Sequence, residues 1–143
     1  MNLVTISDNI AAVASTLSGV RGASGQGLDT IPVTPYVVVG LPTGLNVIPG
    51  NRQVTNIDFP LHLYIERVSG EKRDIRALYN WIPTFVNAYA ADQSLGNVVS
   101  DCYITAWDTN VVDTVGGEDY RVVDFTLSVT VHEAITQALR TVI

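Results

Sequence analysis

A chain of 143 residues suits one domain around one hydrophobic core, and a single unit over residues 1–143 is the expected organisation. Formal charge is -6, and only 15% of residues are charged while 47% are hydrophobic, a charge-poor surface that suits cover by copies of itself or by partners. The acidic balance speaks against gripping nucleic acid through a basic patch, the lone Cys102 excludes an intrachain disulfide, and no stretch approaches the ~20 apolar residues of a membrane span.

The opening MNLVTISDN has neither a basic region nor a long apolar run, so a soluble, cytosolic product is expected. Leu3, Ile6, Ile10, Val13, Leu17 and Val20 recur at helical spacing, with Thr5 and Asp8 as a capping pair and Gly19 as the stop. Arg21 to Pro35 has neither period and reads as an exposed connection; without a preceding strand or a closing Gly-Lys-Ser/Thr, its glycines do not make a phosphate loop. Tyr36 to Val39 is a short buried strand. Leu41 to Asn51, broken by Pro and Gly, predicts a long hairpin connection.

From Gln53 to Val68 the chain alternates, with Phe59, Leu61, Leu63 and Ile65 on one face and His62, Tyr64 and Glu66 on the other. Pro60 cannot donate to a ladder, so it marks an edge or a bulge. Ile75, Leu78, Tyr79, Ile82, Phe85, Val86 and Tyr89 then describe a helix to Ala91, with a kink or restart near Ile82 because Pro83 removes a donor. Gly96-Asn97 turns the chain into a strand over Val98 to Trp107, with Tyr103, Thr105 and Trp107 on one face. Asp108 to Asp119 reads as a polar hairpin tip. It leads into the longest alternation of the chain, Tyr120 to Glu133, with Val123, Phe125, Leu127, Val129 and Val131 on one side. Ala134 to Ile143 predicts a short helix with Ile135, Leu139 and Val142 on one side, an apolar terminus that needs a surface to dock on.

The order of elements gives an α+β fold, a mostly antiparallel sheet with two helices on one face and long hairpin loops. Candidates for chemistry are few. His62 and His132 lie on polar strand faces and could approach each other beside Asp124 or Glu66, but no third ligand stands at a zinc-like spacing. Glu118, Asp119 and Asp108 read as solvated turn residues, and Cys102 as a small buried side chain. No catalytic, cofactor or metal residue is assigned. A small metal-dependent enzyme using His62 and His132 stays open as the alternative in which the chain is a catalyst.

The LVTISDNIAAVASTLSGV helix, the PYVVVGLP and FPLHLYIERV strands, the helix ending in AADQSLGNVV and the closing YRVVDFTLSVTV together resemble the tail terminator proteins of long-tailed bacteriophages, over nearly the whole chain. The resemblance implies a structural virion protein that needs no cofactor. It would form a hexameric ring at the head-proximal end of the tail tube, end tube polymerisation and offer a docking surface to head-completion (stopper) proteins. Its partners would be its own copies, the tail tube protein and the head-completion protein, with DNA only as cargo passing through the lumen and no membrane. It would be made in the host cytoplasm and reside in the virion. Another neck, head-tail joining or tail tube component is the nearest alternative. The interface candidates are Leu41, Pro42, Thr43, Leu45, Val47, Ile48, Trp81, Trp107, Asp113, Glu118 and Asp119, chiefly because long loops in compact domains tend to carry contacts.

Overall fold

The computed structural model describes residues 2–48, 54–66 and 78–132. The expected terminal helix over Ala134 to Ile143, and the first part of the helix expected from Ile75, lie outside them. Within them the fold is α+β: helices α1 (Leu3–Ser15) and α2 (Trp81–Ala91) pack outside a mostly antiparallel sheet. The six strands are β1 (Gly22–Ser24), β2 (Tyr36–Val39), β3 (Thr43–Ile48), β4 (Val54–Glu66), β5 (Asp101–Val115) and β6 (Glu118–Val131), in the order β1-β2-β4-β6-β5, with β3 also on β4.

The frame is the β4–β6 pair, in register from Thr55 opposite Val131 to Glu66 opposite Tyr120. Alternation explains it. Val123, Phe125, Leu127, Val129 and Val131 of β6 and Ile57, Phe59, Leu61 and Leu63 of β4 are all buried on one face, as the period of two requires. Both helices lie on that face. Ile6, Ile10 and Ala14 come from α1; Phe85 and Tyr89 come from α2. Phe85 stacks on Phe125 with ring centroids 4.6 Å apart, and the buried Tyr89 hydroxyl donates to the Ile10 carbonyl at 2.8 Å, tying the two helices together.

Local chemistry moves several predicted boundaries. Asn2, rather than the Thr5/Asp8 pair, caps α1: its side-chain oxygen accepts from the Val4 and Thr5 amides. The helix ends at Ser15, and Gly19, at φ +93°, serves the turn beyond it. Trp81 opens α2, so Pro83 falls in the first turn, where its missing N–H has no intrahelical partner to lose. The restart expected near Ile82 is therefore present. After α2 the chain reverses through three left-handed residues, Leu95, Gly96 and Asn97, and β5 begins only at Asp101.

Three segments expected to be loops contain strand. Within Arg21 to Pro35, β1 pairs parallel with β2, and Leu28 and Ile31 pack on the far face of the sheet against Val38, Tyr64, Tyr120 and Val122. Within Leu41 to Asn51, β3 pairs with β4 from Thr43 opposite Asp58 to Ile48 opposite Val54. Strands β2 and β3 are thus one strand interrupted at residues 40–42, running along one side of β4. The interruption faces Pro60. The Gly40 amide donates to the Pro60 carbonyl at 2.7 Å, and the return bond is the one proline cannot make, which is how Pro60 sits inside a sheet. A Cβ on Gly40 would come within 2.7 Å of the Pro60 ring, so this joint needs glycine.

The polar tip expected over Asp108 to Asp119 is also strand: β5 runs to Val115 and returns through Gly116 and Gly117, both at positive φ, a two-residue turn whose twist matches paired strands. Two register shifts interrupt β5. Ile104 faces Leu127 but Ala106 faces Thr126, leaving Thr105 as an extra residue; a second extra residue falls between Asp108 and Val111. The first shift corrects the expected grouping of side chains. Trp107 lies opposite Phe125, on the helix side of the sheet, while Tyr103 lies opposite Ser128, on the other.

Candidate interaction surfaces

Two exposed apolar surfaces emerge from this frame. One is the outer border of β5, which ends the strand order and has no strand beyond it among the described residues. Tyr103, Trp107 and Val112 are exposed along it, Trp107 at 54%. The two bulges prevent a continuous backbone ladder from forming on this edge, so any partner must be held mainly by these side chains. The other surface is a groove of about 550 Å³ where the start of α1 meets the β2–β3 joint, lined by Leu3, Val4, Ser7, Asp8, Leu41 and Pro42 above Val39 and Phe59. Leu41 is 88% exposed and Val4 69%. An exposed leucine and valine sharing one depression form a patch, where either alone would mean little.

The structure scatters the predicted interface residues. Leu41 and Pro42 line the groove, and Thr43 opens β3 beside it, exposed. Leu45, Val47 and Ile48 belong to β3, but their side chains lie outside what is described. Trp107 is on the β5 border. Trp81 is half-buried instead, packed on the core edge-on to Phe85 at 6.2 Å. Asp113, Glu118 and Asp119 sit in the β5–β6 hairpin strands, not in a loop, and each accepts a hydroxyl of its own chain: Tyr64 at 3.1 Å, Tyr120 at 3.1 Å and Thr114 at 2.6 Å. Leu3, Val4, Tyr103 and Val112 were absent from the expected surface set; the first two share the groove with Leu41, 38 and 37 positions further along the chain.

On the sheet face away from the helices, polar pairs bridge β4 and β6. Thr130 donates to Asn56 at 3.1 Å, Ser128 to Asp58 at 2.6 Å, and His62 Nδ1 meets Asp124 at 2.6 Å. Asp108 stands directly across from Asp124 in the register. With Asp58, Glu66, Asp101 and Asp113 on the same face and only His62 among its described strand residues able to carry positive charge, the face is acidic. Burial together with the Asp113 hydrogen bond pushes the Tyr64 hydroxyl up to about 12.

His62 and His132 do not meet. His62 is opposite Asp124, and His132 lies eight residues further along the β6 direction, about 27 Å at 3.4 Å per residue. Among the described residues no group of three or more His, Cys, Asp or Glu side chains is placed to hold a metal ion. Cys102 is buried, and burial, with Asp101 and Asp92 nearby, pushes its thiol up to about 12, the opposite of an activated thiolate. No described helix is long and apolar enough to cross a membrane.

The fold and its surfaces define an α+β protein whose distinctive features are open borders and patches. No family model and no curated protein matches the chain.

Proposed function

We propose that this chain is a tail terminator: a subunit of a hexameric ring that ends growth of a bacteriophage tail tube at its head-proximal end and presents a docking surface to head-completion proteins. The observation that carries the reading is the pair of unlike borders of the sheet. On one side is β5 with Tyr103, Trp107 and Val112; on the other are the short β1 and β3, beside the Leu41–Pro42 joint. A closed ring repeats one heterologous contact, so each subunit must offer two different patches, and two unlike borders support that reading. The acidic sheet face adds support: a surface of this charge does not retain polyphosphate, as a lumen that passes DNA requires. The sequence resemblance supplies the biological setting.

The test is made in a complete phage assembly system. Without this protein, tails should grow to uncontrolled length and fail to join heads, and Trp107→Asp should reproduce that defect while leaving the isolated subunit folded. Immunogold at the tail–head junction separates a terminator from a tube component, which would label along the tail. Tails of normal length that join heads without the protein would overturn the proposal.

A further inference from the structure

A single row of paired residues crosses the sheet from the exposed indole to the groove: Trp107 opposite Phe125, Phe125 opposite Leu61, and Leu61 opposite Val39, which lines the groove. Indole and groove therefore stand at the same height, on the helix side, at opposite borders of the sheet. Within one subunit they are three strand spacings apart, about 14 Å, with α2 in between, since its Phe85 stacks on Phe125. Trp107 does not fill its own groove. We propose that the groove receives Trp107 of a second copy of this chain, and that this one contact is repeated around the ring. The inference deepens the terminator reading and rests on its ring.

The border leaves room at this row. Strand β1 ends at Ser24, opposite Val38, so among the described residues no strand lies outside Val39. The groove of about 550 Å³ that results has apolar walls in Leu3, Val4, Leu41 and Pro42 and one ionisable group, the Asp8 carboxylate. An indole calls for both, apolar walls for its rings and an acceptor for its N–H once water is excluded. Leu41 at 88% and Trp107 at 54% are apolar surfaces that the contact takes out of water together. Area then decides between a pair and a ring. A tryptophan buries about 150–250 Å², well short of the ~800 Å² that each partner gives to a stable pair. One contact of this kind holds a dimer weakly, whereas a closed ring gives every subunit two, the last formed at high effective concentration.

The experiment uses the full chain with Trp107 replaced by p-benzoylphenylalanine, a photoreactive aromatic. Irradiation of the concentrated protein should give a ladder of covalent oligomers on a denaturing gel, with the new bonds mapped by mass spectrometry to groove residues 3–8 and 39–42 of another copy. Rings seen by light scattering whose bonds fall elsewhere would overturn this contact and leave the ring reading standing. A chain that stays monomeric and uncrosslinked at every concentration would overturn both. A double-mutant cycle gives a second readout. Trp107→Phe removes the indole N–H and Asp8→Ala removes its acceptor, so each should weaken association about tenfold, and the two together little more than either alone. Losses that multiply would overturn the proposal. Both side chains are exposed, so denaturation midpoints of the dilute subunit should not move.

Discussion

The two faces of β6 come from one stretch of sequence and meet opposite fates. Leu127, opposite Phe59, is fully buried beneath the helices; Thr126, opposite Pro60, is half-exposed on the acidic face. Adjacent residues thus differ in what they can tolerate by more than distant residues on the same face do. The helix side holds the larger core, and the other face, outside its small cluster of Val38, Tyr64, Tyr120 and Val122, can be charged and hydrogen-bonded because little there depends on dryness. Function can therefore be built on the second without endangering the first.

The sharpest way to break this contrast is a pair of identical substitutions. Leu127→Asp buries a carboxylate without a partner and should cost several kcal/mol, on the order of the whole stability of a domain, whereas Thr126→Asp should cost ~1 kcal/mol or less. Equal shifts in chemical denaturation would mean that the two faces are not distinct. A smaller effect is expected at the joint on the far side of β4. Gly40→Val forces a side chain against Pro60 and His62 and should cost about 1–3 kcal/mol, and a Pro60→Val change in the same chain should not rescue it if the His62 ring, 3.1 Å from the added Cβ, is also in the way.

Alkali sharpens the comparison chemically, since each face holds groups whose proton is retained by the fold: Cys102 and Tyr89 on the helix side, Tyr64 and Tyr120 on the other. Cys102 on the helix side rises from 9.0 to about 12, and Tyr64 on the other side from 10.0 to about 12. In both cases the folded chain keeps a proton that the unfolded chain gives up, so their contribution is fully present below pH 9 and is lost as pH rises towards 12. Denaturation midpoints should fall over that window, and Cys102→Ala should delay the onset until the tyrosines Tyr64, Tyr89 and Tyr120 begin to count, near pH 10. The smallest effect belongs to the histidines. Changing His62 and His132 together to Asn removes a partly exposed contact to Asp124 and should cost under ~1 kcal/mol, with no metal released on mass spectrometry of the native protein. A loss of stoichiometric zinc or manganese with that change would return the enzyme reading to consideration.

What could be read in advance follows the same division. The buried faces of β4 and β6 were legible because a two-residue period with one dry face leaves a strong mark, and helix α1 was legible for the corresponding reason at its own period. Strand β3 was not, since Pro42 and Gly44 are turn-forming residues and its strand state comes from pairing with β4 rather than from local preference. Gly116-Gly117 carried the information for the tight β5–β6 turn, but the polar residues before it suggested a wider one. The groove was half legible: Leu41 and Pro42 were expected at a surface, while Leu3 and Val4 read as part of a helix stripe. Only the packing of α1 beside residue 40 joins them.

Thr105 gives β5 a phase slip, and the second extra residue, before Val111, cancels it. Between the two, inward and outward are exchanged relative to a plain alternation, so Trp107 points with Phe125 and Asp108 with Asp124. Thr105 is the residue without a partner, so removing it would close the bulge and leave Ala106 opposite Thr126, Trp107 opposite Phe125 and Asp108 opposite Asp124. The same holds for the extra residue before Val111. These two places hold slack, and a deletion at either is absorbed without turning a side chain over. In the paired interval between them, an added residue that made no bulge of its own would send the indole to the acidic side.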